Sequence, residues 1–354
     1  MVSASRLSAE RRPRSPTAGR FSRVSLGEPA ATAPLRVPCL VNPPDDAVSP
    51  YIEEHKFVWI DLDGTEEHEI DRLAKKLSLH PLTIDDARTF GQRPKMDEYE
   101  GYLFMVVFGV DAGTESGGPL LREVHLIISG DYVVTIHRRA VEAVTDLRGR
   151  YNDQPIRSEQ FMVYKILDAI TSTFVPVLSR VDDDIDDIEQ EVVSGASPEC
   201  LRRIFSLKRD LVAMRRVVTP MRDMFARNAE RIAELPGMQA DDRLYYRDLY
   251  DGMIRVSDLV DSYRDLLSGA TDLYLSTVAN RQGEINKQLT VIATIFLPLT
   301  FLTGFFGQNF TWMIGHITNT LWSFLVFGIG LLILSVALLA LYFRRKGWFS
   351  GDKP

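Results

Sequence analysis

LTVIATIFLPLTFLTGFFGQNF, residues 289–310, decides the fold. Its first 18 positions, 289–306, carry no charge, and the stretch ends on Gly-Gln-Asn and a Phe. A second run, LWSFLVFGIGLLILSVALLALYF at 321–343, adds 23 uncharged positions. A helix needs about 20 apolar residues to cross roughly 30 Å of hydrocarbon. Two such runs joined by 14 residues read as a membrane hairpin rather than as two buried core helices. Arg281 and Lys287 precede the first run, Arg344, Arg345 and Lys346 follow the second, and 307–320 holds neither Lys nor Arg. Basic flanks stay on the cytoplasmic side. The expectation is a multi-pass protein of the cell (inner) membrane with both termini cytoplasmic and the Gly-Gln-Asn turn outside.

Upstream, residues 238–297 contain no proline. A helix of about 60 residues would be roughly 90 Å long, running from a soluble stalk into the first span, with Pro298 inside that span. From about Ser158 the chain is amphipathic and helical, broken at SGASPE (194–199) and again near Leu235-Pro236-Gly237. Residues 37–155 alternate strand and helix patterns: FVWIDL (57–62), TEEHEIDRLAKKLSL (65–79), YLFMVVFGV (102–110), REVHLIISG (122–130) and DYVVTIHRR (131–139). The last two form a hairpin candidate. Seven Arg against two Glu make residues 1–36 +5, and the formal −7 of the whole chain leaves −12 for the rest. This Ser/Pro/Arg-rich stretch reads as a disordered tail or as a mitochondrial transit peptide. Cys39 and Cys200 are too few for a disulfide framework and suit a reducing cytosol.

Gly283, Asn286, Leu289, Ala293, Leu297, Thr300 and Gly304 recur at spacings of three and four, on one helical face. Such a mixed stripe lines a pore or glues helices. Two helices cannot enclose water, so a pore needs several copies about an axis. At the mouth lie Gly307, Gln308 and Asn309. Mg²⁺ releases its waters reluctantly, and a ring of Asn carboxamides is suited to reading the hydrated ion; a loop turn is the other meaning of Gly-x-Asn. VDDDIDDIEQE (181–191) carries seven carboxylates, a solvated helix face or a loose cation store. Asp85-Asp86 and Asp248 with Asp251 pair carboxylates as hard cations require, with a helix N-cap as the alternative for Asp85. His80, His125 and His137 sit in no ligand spacing. No GxxxxGK[ST] occurs, so nucleotide-driven pumping has no motif, and nothing points to an enzyme, an organic cofactor or nucleic acid.

Four stretches occur together in one order: LHPLTIDDARTFGQRPKMDEYEGYLFMVVF (79–108), LYYRDLYDGMIRVSDLV (244–260), the run from Leu273 to Phe310, and RRKGWF (344–349). Over residues 50–350 the chain resembles the CorA family of divalent-metal transporters. The resemblance implies an α/β cytosolic domain, a long helical stalk and two C-terminal transmembrane helices, assembled as a homopentamer in the lipid bilayer. It divides the chain into an Arg-rich tail (1–36), α/β domain (37–155), helical stalk (156–288), first span (289–306), external loop (307–320), second span (321–343) and basic cytosolic tail (344–354). The first span lines the pore through Asn286, Leu289, Ala293, Leu297, Thr300 and Gly304. Gly307, Gln308 and Asn309 stand where the family has its selectivity filter.

By the same resemblance Asp86 and Asp248 of the next subunit, with Asp85 and Asp251 nearby, hold a regulatory Mg²⁺ that keeps the channel closed until cytosolic Mg²⁺ falls. The implied cargo is Mg²⁺, with Co²⁺ as a second divalent cation. Three positions depart from the family pattern. Gln308 replaces Met, the external loop has no acid and only His316 as a titratable side chain, and Gly283 stands where a pore-facing Asn is usual, with Asn286 instead of an apolar residue. The first two bear on ion choice. A Zn²⁺ transporter of the same fold, proton-coupled, and a non-conducting membrane-anchored metal sensor therefore stay open beside the channel.

Overall fold

The computed structural model describes residues 35–348, apart from 65, 112, 114–117, 152–154, 233, 236–242, 309–310 and 317–319. The Arg-rich stretch up to 34, the end of the basic tail and Asn309 therefore lie outside the described residues. Leu35 is described, and it exchanges backbone hydrogen bonds with Ile156.

Among the described residues six strands form one mixed sheet: β1 (Cys39–Val41), β2 (Val58–Asp63), β3 (Lys95–Tyr99), β4 (Tyr102–Asp111), β5 (Leu120–Ser129) and β6 (Tyr132–His137). Their order across the sheet is β1-β2-β6-β5-β4-β3. β1, β2 and β6 run parallel, and the rest pair antiparallel. The expected hairpin is β5–β6. Residues 102–110 of β4 are buried without a break. Successive strand side chains point to opposite faces, so unbroken burial means that both faces of the sheet are covered.

Four helices frame the strands: α1 (Asp45–Glu53), α2 (Glu67–Lys76), α3 (Pro81–Arg88) and α4 (Glu142–Tyr151). α2 starts on a capping box between Glu66 and Glu69 and ends on Lys75 and Lys76, which suits the helix dipole. α3 corrects one expectation. Its N-cap is His80, whose Nδ1 accepts from the Leu82 amide at 3.2 Å. Asp85 lies inside the helix, where its carbonyl accepts from Thr89.

The helices after Ser158 pack directly on the sheet. They are α5 (Glu159–Ser172), α6 (Phe174–Ser194) and α7 (Pro198–Ile232). Gly109 of β4 shows how close they come: a Cβ there would lie 3.2 Å from the Ile170 carbonyl oxygen and the Thr173 hydroxyl. Thr173 Oγ1 instead accepts from the Val110 amide at 2.9 Å. The α6–α7 turn uses Ser197 as N-cap, accepting from the Cys200 amide at 3.0 Å, with Pro198 at the first helical position.

α8 (Arg243–Phe306) is 64 residues long, about 96 Å at 1.5 Å per residue. Its buried residues are Tyr246, Leu249, Met253, Val256, Val260, Tyr263, Leu267, Ala270 and Tyr274, with Ser257 beside them. The hydrophobic spacing alternates three and four, a coiled-coil seam, and it packs chiefly on α7 and α6. Beyond Tyr274 no α8 residue is buried. A short α9 (Thr311–His316) precedes α10, which runs from Leu321 to Arg345. Residues Phe324–Gly330 of α10 are π-helical. Gly330 suits that wider turn, since a Cβ there would sit 3.2 Å from the Leu325 carbonyl oxygen.

Among the described residues, three helical stretches are long and apolar enough to cross a membrane: Glu159–Ser194, Arg243–Phe306 and Leu321–Arg345. The apolar window of the first is 56% buried within the protein, whereas those of the other two are 0% buried. Packing against the sheet and α8 accounts for the apolar character of the first. The apolar runs 289–306 and 321–343 lie within the last two.

Candidate ion path and metal half-sites

The distal third of α8 stands beside α10, and the partly covered residues show which face meets it: Lys287, Val291, Thr294, Ile295, Pro298, Leu299, Leu302 and Phe306. The stripe singled out in the sequence lies off that face. Asn286, Leu289, Ala293, Leu297, Thr300 and Gly304 are all exposed in the single chain, Leu297 at 73%. Gly283 is exposed as well. The helix continues through Pro298.

Thr290, Thr294, Thr300 and Thr303 each donate their hydroxyl to the carbonyl four residues back, at 2.7–2.9 Å. That satisfies the proton within the helix and leaves oxygen lone pairs and methyl groups outward, a surface compatible with hydrocarbon or with ordered water.

α8 ends on Gly307. Its amide donates to the Thr303 carbonyl at 2.9 Å, and a Cβ at this position would lie 3.0 Å from that same oxygen. Glycine is what lets the backbone close so tightly on the last turn. Gln308 is exposed, and its amide donates to the Phe305 carbonyl at 3.3 Å.

At the opposite end of the hairpin the two basic flanks meet. Lys287 Nζ lies 5.8 Å from the Trp348 ring centroid, and Trp348 stacks on the buried Phe343 at 5.2 Å. The residues before the first apolar run and after the second therefore sit on one side, and Gly307 and Gln308 lie at the far end of α8. Arg281 Nη1 reaches the Gly195 carbonyl at 3.5 Å, so the α6–α7 turn abuts α8 shortly before that level.

The four candidate metal ligands fall on two elements. Asp85 and Asp86 are on α3; Asp248 and Asp251 are on α8. Asp85, Asp248 and Asp251 are exposed, and the Asp86 side chain is 28% exposed. Asp86 Oδ2 accepts from Lys95 Nζ at 2.6 Å. Asp248 Oδ2 accepts from the Tyr164 hydroxyl at 3.1 Å. Burial, then the Asp168 charge and the Asp248 hydrogen bond, raise the Tyr164 pKa, so that hydroxyl keeps its proton to donate. Carboxylate oxygens fit a hard ion such as Mg²⁺. Among the described residues, however, no group of three or more His, Cys, Asp or Glu side chains converges to hold a metal. Within one chain these carboxylates lie on separate elements and do not form a closed ligand set.

The acidic run of α6 is a solvated face: Asp182, Asp183, Asp186, Asp187 and Glu189 are exposed. Arg203 bridges Asp184 and Glu191, each at 3.3 Å. His80, His125 and His137 have structural roles. His80 caps α3. His125 is buried, with Nε2 2.8 Å from Glu123. His137 is 1% exposed, with Nε2 3.0 Å from Asp61 Oδ1.

Asp61 was not singled out from the sequence, although a carboxylate inside the apolar strand VWIDLD was a visible signal. It is fully buried. Thr135 Oγ1 donates to it at 2.6 Å and Arg148 Nη1 at 2.6 Å, and Trp59 Nε1 donates to Thr135 at 3.0 Å. Burial works to raise the Asp61 pKa, but the hydrogen bonds from His137 and Thr135 and the charges of His137 and Arg148 outweigh it and hold it low. Burial works to lower His137, and the Asp61 bond with the Asp61 and Asp63 charges turns the net shift upward. Both shifts favour the ionised forms of the pair, which fastens β2 to β6.

The family of CorA-like Mg²⁺ transporter proteins matches residues 54–345. The chain is 31% identical over 310 residues to the cobalt/magnesium transport protein CorA of Thermotoga maritima, covering 86% of each. It is also 26% identical to the zinc transport protein ZntB of Klebsiella pneumoniae, over 84% of this chain and 89% of that one. Among solved structures, the complete CorA magnesium transporter from Methanocaldococcus jannaschii superposes with a TM-score of 0.71 at 23% identity, over 82% of this chain and 91% of that chain. With most of its length matched and 31% of the 310 aligned residues identical to a member from Thermotoga maritima, the chain belongs to the family of CorA-like Mg²⁺ transporter proteins.

Proposed function

We propose that this protein is a homopentameric channel that carries Mg²⁺, and Co²⁺ as a second cargo, into the cytosol down the membrane potential. One observation carries the reading: the stripe from Asn286 to Gly304 stays exposed while α10 takes the neighbouring face of α8. Copies arranged about an axis turn that stripe inward. Leu289 and Leu297 then form apolar constrictions that gate by dewetting, and Gly307, Gln308 and Asn309 form the outer filter. Residues 37–155 and 156–288 lie in the cytosol, 289–306 and 321–343 in the cell membrane, 307–320 outside, and the basic tail 344–354 inside. The meeting of Lys287 with Trp348 supports that topology, since basic flanks stay cytoplasmic. The family is one of transporters, and no enzymatic role is proposed.

Self-association has a second support. Leu259, Leu266 and Leu273 recur every seven residues on α8 and are 37%, 45% and 40% exposed, one position ahead of the buried seam. A heptad of exposed leucines is a surface made for another helix. Burying one Leu is worth about 1.5–3 kcal/mol. Leu266→Asp should therefore shift the purified protein to smaller particles in size exclusion with light scattering; an unchanged mass rules out this seam as a contact.

Regulation enters at the subunit interface. Asp86 and Asp85 of one chain face Asp248 and Asp251 of the next and hold Mg²⁺, which favours the closed assembly. Each chain brings carboxylates that fit the ion and lacks the number to bind it alone. Loss of the ion removes the preference for the closed state.

The test is flux into liposomes holding the purified protein. At an interior potential of −100 mV a divalent ion gains about 4.6 kcal/mol, twice the value for one charge. Mg²⁺ entry should follow that potential without a pH gradient. The match to ZntB and the Gln at 308 favour one second reading, a proton-coupled Zn²⁺ transporter. Zn²⁺ entry that needs a pH gradient, with Mg²⁺ static, would establish that reading and remove the first.

A further inference from the structure

Asp86 already has a cation beside it. Lys95, the first residue of β3, places Nζ 2.6 Å from Asp86 Oδ2 and 3.1 Å from Asp97 Oδ2. The same Nζ lies 5.5 Å from the ring centroid of Phe104. Lys95, Asp86 and Asp97 are 31%, 28% and 41% exposed, so water screens the cluster only in part. The backbone around it is tied down. Gln92 Nε2 donates to the Asp86 carbonyl at 2.7 Å and to the Thr89 carbonyl at 2.5 Å. Glu123 accepts from the Gly91 and Gln92 amides at 2.5 and 3.2 Å. The end of α3 and the start of β3 are thus held together, and Lys95 stays near Asp86.

We propose that Lys95 is an internal competitor for the cation at Asp86 and sets the Mg²⁺ concentration at which the intersubunit site fills. This rests on the interface-site reading above. The ammonium neutralises part of the carboxylate charge that draws the metal, and it repels the metal directly. Asp97 holds Lys95 from the other side and so moderates the competition. A unit charge about 5 Å from a divalent ion changes its affinity roughly 10-fold, less where salt screens it and more where burial does not. Both directions follow. Removing Lys95 lowers the filling concentration. Removing the Asp97 charge raises it, because Lys95 then leans on Asp86 alone and one nearby negative charge is gone.

The experiment uses the full chain in detergent and reads limited trypsin digestion against MgCl₂ at constant ionic strength, with no transport involved. Protection in the wild type should appear at a defined Mg²⁺ midpoint and be lost in Asp86→Asn. Lys95→Met should lower the midpoint roughly 10-fold. Asp97→Asn should raise it several-fold. Lys95→Arg, which keeps the charge, should stay near the wild-type value. If Asp86→Asn abolishes protection but Lys95→Met leaves the midpoint unchanged or raises it, the competitor role is wrong and the site stands. Should Lys95→Met fail to fold, an Asp97→Asn midpoint at or below wild type overturns the role equally. If protection is indifferent to Asp86→Asn, the interface site itself is wrong, and the role of Lys95 falls with it.

Discussion

Asn309→Ala should reduce Mg²⁺ flux into liposomes at least about 50-fold while leaving Mg²⁺-dependent protease protection unchanged. The size of the effect comes from multiplicity. A hydrogen bond contributes about 0.5–1.5 kcal/mol net. In the proposed pentamer the substitution removes one carboxamide from every subunit, so the hydrated ion loses about 2.5–7.5 kcal/mol of contact at the mouth. A factor of ten corresponds to 1.4 kcal/mol, so even the lower bound is a fall of about 60-fold in occupancy. The unchanged protection matters as much, since it separates the proposed outer filter from the proposed cytosolic site at Asp86 and Asp248. Wild-type flux from Asn309→Ala would place ion selection elsewhere in the pore.

Asp61→Ala is expected to destabilise the protein by about 3–5 kcal/mol, the usual effect of removing one partner from a buried ion pair. Three donors, from Thr135, Arg148 and His137, lose their acceptor in an apolar strand at once. For a cooperative unit of some 200 residues that is a fall of roughly 6–20 °C in Tm, readable by thermal scanning in detergent. The pH dependence has a defined sign. The raised pKa of His137 means that its contribution is fully present below about 6.5, the unperturbed His value. That contribution is lost as pH climbs through the raised value. The lowered pKa of Asp61 means that its contribution is present above about 3.9 and disappears as pH falls through the lowered value. The gap between wild type and Asp61→Ala should be widest between these limits. It should narrow on the alkaline side without closing, because Arg148 still pairs with Asp61. A gap that widens as pH rises above about 6.5 would contradict the His137–Asp61 pairing.

Much of the architecture was legible in the residues, and the parts that were not have physical reasons. YLFMVVFGV and DYVVTIHRR are apolar runs bounded by turn residues, and they became β4 and β6. The proline-free stretch before Pro298 became α8, and its three-four spacing marks a packed seam. β3, KMDEY, escaped notice because its charges hide any alternation; its strand character comes from pairing with β4. α1 contains Pro50 and α3 is capped by a histidine, so neither shows an ordinary helix start. The parallel pairing of β2 with β6 joins residues 74 apart, Val58 with Tyr132, which no local pattern encodes.

The candidate site divides in the same way. The stripe on α8 follows from helical periodicity alone, and the structure leaves it exposed. The pairing of Asp86 with Lys95 depends on α3 and β3 meeting in space. Nothing in the spacing of residues 86 and 95 announces it.

The burial pattern of α8 also bears on the order in which the protein is made. Every α8 residue packed into the soluble core lies at or before Tyr274, and translation reaches all of them before the first span. At about 5–20 residues per second, the 32 positions from 275 to 306 occupy the ribosome for roughly 2–6 s. That interval matches the millisecond-to-second folding times of mixed sheet domains. The sheet and its helices can therefore close around the stalk before hydrocarbon is available to compete for their apolar faces.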